Sequence, residues 1–345
     1  PRVAKLFLPA RQLISRNASE ASRGSICKPS IYIMSSLHRA ILETVAYYDA
    51  FDYPLTEFEV WKLLLVSDGE GREMEVVPLR MIRETLEGSY LRKRLGRERG
   101  FVFLRGRESL IDTRLRRQKI ADRNIRGARR IAGILRFFPF VRMVGLTGSL
   151  SMKNADRGSD WDFFIVLRSG YIWTGRAAVT ALLHLFGLRR HGNHVARRAC
   201  LNFWVTTRSL EIRLKDLFSS SEYFFIIPFF GESVFRGFQR SNDWIRRFRP
   251  HFRESSVAHQ SLLPDTLLAR LSRAIGEILL VGLGLESLLR SLQKRKIAAN
   301  PMTHTSEGII EATDDALIFL PHPRGPQIFE SFRRRMSDIE TAALS

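Results

Sequence analysis

The chain has 345 residues, 45% of them hydrophobic and 10% aromatic, and its 55 Lys and Arg outnumber its 35 Asp and Glu to give a formal charge of +20. That length and apolar content exclude a disordered chain or one small domain and imply two or three domains. Two cysteines, Cys27 and Cys200, exclude a disulfide framework or a cysteine-rich zinc site, and the positive charge favours polyanionic partners.

Residues 1–33 carry six basic residues and one acid, and their apolar run is too short for a secretion-signal core. They are expected to be a disordered or non-native extension, with Met34 as the natural start. Residues 34–108 then read as a winged helix-turn-helix. Leu37, Ile41, Leu42, Val45 and Tyr48 have helical spacing over 37–49. Thr56 with Glu59 three residues on is a capping box that opens a second helix to about Val66. Ser67–Glu73 reads as a polar loop, and Pro78 opens a third helix to about Gly88. Extended runs at Tyr90–Leu95 and Phe101–Arg105 flank the turn Gly96–Gly100. The wing so formed carries Arg92, Lys93, Arg94, Arg97 and Arg99. Such a wing serves nucleic-acid contact or plain protein docking.

Over Leu110–Phe138 the apolar positions Leu115, Ala121, Ile125, Ala128, Ala132 and Leu135 share one helical face. The remainder holds Arg114, Arg116, Arg117, Lys119, Arg123, Arg126, Arg129 and Arg130, offset only by Asp112 and Asp122. Such a stripe is either a solvated helix face or, because like charges along a helix destabilise it, a surface for a polyanion such as RNA or DNA, with Arg92, Arg94, Arg97, Arg116, Arg123 and Arg130 as contacts.

The most informative stretch follows. A strand at 141–147 ends in Gly148-Ser149, a short helix is expected at 149–154, and Asp160-Trp161-Asp162 leads into a second apolar strand to Leu167. Glycine lets a backbone approach a phosphate, and a helix start offers free N–H donors. Acids at i and i+2 on a strand share a face and repel unless a cation sits between them, and paired hard oxygens suit Mg²⁺. Lys153 and Arg157 lie in the spacer, where they either reach phosphate oxygens or belong to a solvated loop. A helix at 171–187 and a strand at 199–206 complete this core over 109–235. His191 and His194 read as a polar loop. Residues 236–345 are expected to be helical. Their most hydrophobic stretch, Ile275–Leu289, contains two glutamates, is short of a membrane span and reads as a buried helix. No membrane partner is expected, and unpaired cysteines fit the cytoplasm.

Strand, Gly-Ser, spacer and Asp-x-Asp on the next strand resemble the nucleotidyltransferase superfamily with its DNA-polymerase-β-like core, over about residues 115–235. The resemblance implies an α+β fold with a small mixed sheet. It implies that Gly148 and Ser149 hold a nucleoside triphosphate and that Asp160 and Asp162 ligate Mg²⁺. The third carboxylate of that superfamily is replaced here by Asn202. The arrangement also resembles a bacterial group, without an assigned reaction, that joins a winged helix bearing a motif like Tyr48-Asp-Ala-Phe-Asp-Tyr-Pro-Leu-Thr56 to this core, with a third strand like Cys-Leu-Asn. The implied activity is transfer of a nucleoside monophosphate from an NTP to RNA, protein or a small molecule. The alternative is a catalytically weak or inactive nucleotide-sensing regulator that binds nucleic acid.

Overall fold

A computed structural model describes residues 29–66, 76–254 and 262–341. The loop expected at Ser67–Glu73, Cys27 and most of the expected extension lie outside the described residues.

The first helix, α1 (Pro29–Asp49), starts upstream of Met34. A short strand β1 (Leu55–Thr56) leads into α2 (Glu57–Lys62), which ends earlier than expected. Its capping box is formed: the Thr56 N–H donates to Glu59 Oε2 at 2.9 Å, and the Glu59 N–H donates to Thr56 Oγ1 at 3.2 Å. Then come α3 (Leu79–Leu86) and one helical turn, α4 (Ser89–Arg92), where an extended run was expected. The hairpin β2 (Leu95–Glu98) and β3 (Phe101–Leu104) is tighter than its sequence suggested. Arg99 and Gly100 both take positive φ, 51° and 80°, which closes a two-residue turn. The three strands pair in the order β1-β3-β2.

The second layer begins with α5 (Leu110–Leu135) and β4 (Val141–Leu146), followed by α6 (Gly148–Ser151) and β5 (Trp161–Leu167). It continues through α7 (Ile172–Leu185), β6 (Ala199–Thr206), α8 (Leu217–Phe224), β7 (Ile227–Phe230) and α9 (Glu232–Ser241). The stretch expected to be one buried helix, Ile275–Leu289, is broken at Gly284 (φ 59°), between α10 (Leu267–Gly282) and α11 (Glu286–Ala298). The C-terminal region is not all helical. Residues β8 (Ile309–Ala312) and β9 (Ala316–Leu320) form a hairpin before α12 (Gly325–Thr341). That hairpin extends the core sheet, whose order is β7-β4-β5-β6-β9-β8, with β5 and β6 parallel and the other pairs antiparallel. The protein is therefore a mixed α/β fold built on a mixed six-stranded sheet. Pro228 sits on the edge strand β7, where a missing donor is tolerated.

Both faces of this sheet are covered, which is why its strands are continuous apolar runs. Phe163, Ile165 and Leu167 pack with Ala128, Ile131 and Leu135 of α5 and Trp173 and Val179 of α7. Phe164 and Val166 point the other way, against Tyr223 of α8 and Phe235 and Phe238 of α9.

The motif after α1 joins the N-terminal helices to the rest. Asp49 receives the Arg107 and Arg335 guanidinium groups. The Phe51 carbonyl accepts from Asn154 Nδ2 at 2.8 Å, beside α6. Arg114 of α5 lies over the Tyr53 ring at 3.6 Å and donates to Glu59 at 2.7 Å. Arg249 is fully buried, donates to the Leu63 carbonyl and to Ser221 Oγ, and faces the Tyr47 and Tyr48 rings.

Candidate active site

The Gly-Ser turn and the paired acids meet at one end of β4 and β5. These strands are antiparallel neighbours with Leu146 opposite Phe163, and the Thr147 N–H donates to the Asp162 carbonyl at 2.9 Å. Gly148 has a φ of 71°, in the left-handed region that favours glycine. A Cβ there would collide with Asp162 Oδ2, so the absence of a side chain is what lets the carboxylate lie against the turn.

Alternation along β5 sets the direction of Asp162. Phe163 faces α5 and α7, so Asp162 faces the α8 side. On that side β6 aligns Cys200 with Asp162. Between the Asp162–Cys200 and Phe164–Phe203 pairs one residue of β5 opposes two of β6, and Asn202 lies in that bulge. Thus the residue beside Asp162 on the third strand is Cys200. One ligand atom each of Asp160, Asp162 and Cys200 lies within 4.8 Å of the others, so the cluster could hold a metal ion.

Two groups that the sequence did not single out complete the surroundings. Arg190, on the segment before β6, donates through Nη1 to Asp160 Oδ2 at 2.6 Å and lies 3.7 Å from Cys200 Sγ. Glu222, on α8, accepts the Gly148 N–H at 2.8 Å through Oε1. The site therefore holds three carboxylates and the Arg190 guanidinium, with Arg324 close enough to act on Glu222. Burial, then the charges of Asp160 and Glu222, push the Asp162 carboxyl up to about 7. Burial also raises Glu222, opposed by its bond from Gly148. The Cys200 thiol is pushed up by burial and by Asp162 and Asp160, which keeps it protonated. The donor set fits a divalent cation. Uncompensated buried negative charge calls for one, and two carboxylates supply hard oxygen.

The other expected site residues separate. Ser149 stands half-buried next to Gly148, and its carbonyl accepts the Asn154 N–H at 2.8 Å. Lys153 turns to α5, where Nζ pairs with Asp122 at 3.1 Å. Arg157 is exposed on the turn that Asp156 and Ser159 close. Among the expected nucleic-acid contacts, Arg116, Arg123 and Arg130 are exposed on α5, and Arg92 is exposed on α4. Arg97 is bound to the Glu57 carboxylate. Arg94 lies on the Tyr90 ring at 3.9 Å and donates to the Tyr90 carbonyl. Arg114 is withdrawn from the basic face of α5 into its buried pair with Glu59.

No described helix is long and apolar enough to cross a membrane. No protein-family model matches this chain, and no curated protein or solved structure matches it.

Proposed function

We propose that this protein is a nucleotidyltransferase of the DNA-polymerase-β-like kind, with an N-terminal winged helix (34–108), a catalytic core (109–235) and a C-terminal region, working on an NTP and Mg²⁺ in the cytoplasm. One observation carries this reading: Asp162 is packed directly against Gly148, so the carboxylate pair and the Gly-Ser turn share one small volume. In the reaction an acceptor oxygen bonds to the α-phosphorus, the bond to the bridging oxygen of the β-phosphate breaks, and pyrophosphate leaves. Mg²⁺ held by Asp160 and Asp162 supplies neutralisation of charge that develops on the phosphates. Gly148 and Ser149 border the place for the β- and γ-phosphates, and Lys153, on leaving Asp122, or the exposed Arg157 would serve outlying oxygens. Glu222, with Asn202 in the adjacent bulge, stands in for the carboxylate missing from the third strand. RNA or DNA is the acceptor class that the exposed arginines of α5 favour.

A second reading has its own support. Arg190 already neutralises Asp160, and Glu222 already takes the Gly148 N–H. Both contacts suit a nucleotide sensor without catalysis, which docks on nucleic acid or a protein. The deciding experiment incubates the protein with each α-labelled NTP, Mg²⁺ and total cellular RNA and protein. Label transfer that is lost in Asp160→Asn and Asp162→Asn supports the enzyme. Saturable NTP binding without transfer supports the sensor. Neither transfer nor binding overturns both.

A further inference from the structure

Helix α10 is amphipathic in the inverted sense. Its buried residues are Ala269, Arg273 and Glu277, and the two charged ones fasten it to the body. Arg273 donates to the Arg136 carbonyl and to Asp265, and Glu277 accepts the Phe140 N–H and pairs with Arg142 and Arg168. Its large aliphatic side chains point away from the protein. Leu267, Leu268, Leu271, Ile275, Ile278 and Leu279 are all at least half exposed, with Ile278 at 73%. Leu268, Leu271, Ile275 and Ile278 follow a three-four spacing, so they make one continuous stripe. Burying this face inside the chain was the expectation from sequence, and the polar anchors show why it fails: Glu277 and Arg273 hold the opposite side inward.

An apolar stripe of this length implies a covering partner. Charge selects which one. Across 262–298 there are six basic residues and three acids. Each acid is engaged: Asp265 with Arg270 and Arg273, Glu277 as above, and Glu286 with the N–H groups of Trp173 and Thr174. Arg290 and Lys294 face Asp314, and Arg295 and Lys296 have no acid partner among the described residues. The stripe itself holds no charge, and each of the three acids of 262–298 is held by a partner. A second copy would bring another +20 against the first, whereas an anionic lipid surface offers both hydrocarbon for the stripe and negative charge for a chain of net +20.

We infer that α10 is an interfacial membrane anchor that seats this protein on anionic bilayers with the helix in the plane of the surface. This inference is independent of the reaction assigned above. The test uses the full chain with vesicles of phosphatidylcholine containing phosphatidylserine. The parent protein should co-sediment with them. The variant Leu271→Ser/Ile275→Ser/Ile278→Ser, which keeps the net charge and alters only exposed positions, should bind about tenfold more weakly or less. Ile278→Trp should be quenched by brominated acyl chains, since the ring enters the hydrocarbon boundary. Equal binding by parent and triple variant would mean adhesion by charge alone and overturn the anchor, as would failure of the parent to bind. A parent dimer in sedimentation velocity that the triple variant converts to monomer would assign the stripe to a second copy instead.

Discussion

The Gly148 N–H donates to Glu222 across 74 residues of sequence, at 2.8 Å. The donor that a phosphate would use is thus engaged by a carboxylate from α8, while the position a Cβ would fill is taken by Asp162. Gly148→Ala therefore meets both a strained φ and a collision. It should cost about 2–3 kcal/mol in urea unfolding, and it should weaken divalent-cation binding because Asp162 must move. Stability within a few tenths of a kcal/mol of the parent would show that the turn has room the structure does not indicate.

Asp162 makes the metal-free protein sensitive to rising pH. Its carboxyl is raised to about 7 in the folded state against an ordinary value near 4. A raised carboxyl contributes stability that is complete below the unfolded value and is lost as pH climbs through the folded one. In a chelator, the melting temperature should fall between about pH 4 and about pH 7, and millimolar Mg²⁺ or Mn²⁺ should restore it. Asp162→Asn should flatten that fall and remove the metal response. A parent melting curve that ignores both pH and metal would remove the cation from this site.

His251 acts in the opposite direction. Its ring stands edge-on to Trp61 at 4.8 Å, both ring nitrogens are buried without a hydrogen-bond partner among the described residues, and burial followed by the nearby Arg253 lowers it to about 4. A depressed histidine contributes stability above the unfolded value of about 6.5, and that contribution is lost as pH falls toward 4. Chemical denaturation at pH 7 and pH 5 should show a loss in the parent that His251→Phe reduces. An identical loss in the variant would assign the acid sensitivity to other groups.

Local chemistry was legible because it is local. The Thr56–Glu59 box, the apolar runs of β4, β5 and β6 and the Gly148-to-Asp162 spacing all declare themselves within about twenty residues. Cys200 was displaced in sequence reading by Asn202, because a bulge shifts register by one and nothing in CLNFWVT marks it. Glu222 and Arg190 reach the acids only through tertiary packing. The inversion of α10 was hidden for a related reason: hydrophobicity predicts burial, but Arg273 and Glu277 find their partners 130 residues and more away. The β8–β9 hairpin was missed because its strands are short and joined by Thr313-Asp314-Asp315, which reads as a loop.

Arg249 is the clearest link between the N-terminal helices and the core. It donates to Leu63 after α2 and to Ser221 on α8, with no exposed surface. Arg249→Ala removes the guanidinium donor from the Leu63 carbonyl, leaves Ser221 with only Tyr47 and Leu217, and opens a cavity, at a cost of about 3–4 kcal/mol. Because the α1 core continues into Leu217, Ile328 and Phe332, unfolding of the parent should be a single transition in tryptophan fluorescence and circular dichroism. Two separated transitions would show that residues 34–108 fold alone.

The arginines grouped by sequence divide into free and engaged sets, and nucleic-acid binding should follow that division. On α5, Arg116, Lys119, Arg123, Arg126 and Arg130 are exposed at three-four spacing, and among the described residues no acid pairs with them. Arg97 is neutralised by Glu57, and Arg94 is occupied by Tyr90. With duplex or single-stranded RNA as probe, each contact that releases a counterion adds about one to the slope of log affinity against log salt. Arg123→Gln and Arg130→Gln should each lower that slope by about one, whereas Arg97→Gln should change it by much less. Fluorescence anisotropy over a salt series decides. An Arg97 effect equal to that of Arg123 would move the interface from α5 to the hairpin, and salt-independent binding would exclude phosphate contacts from this face.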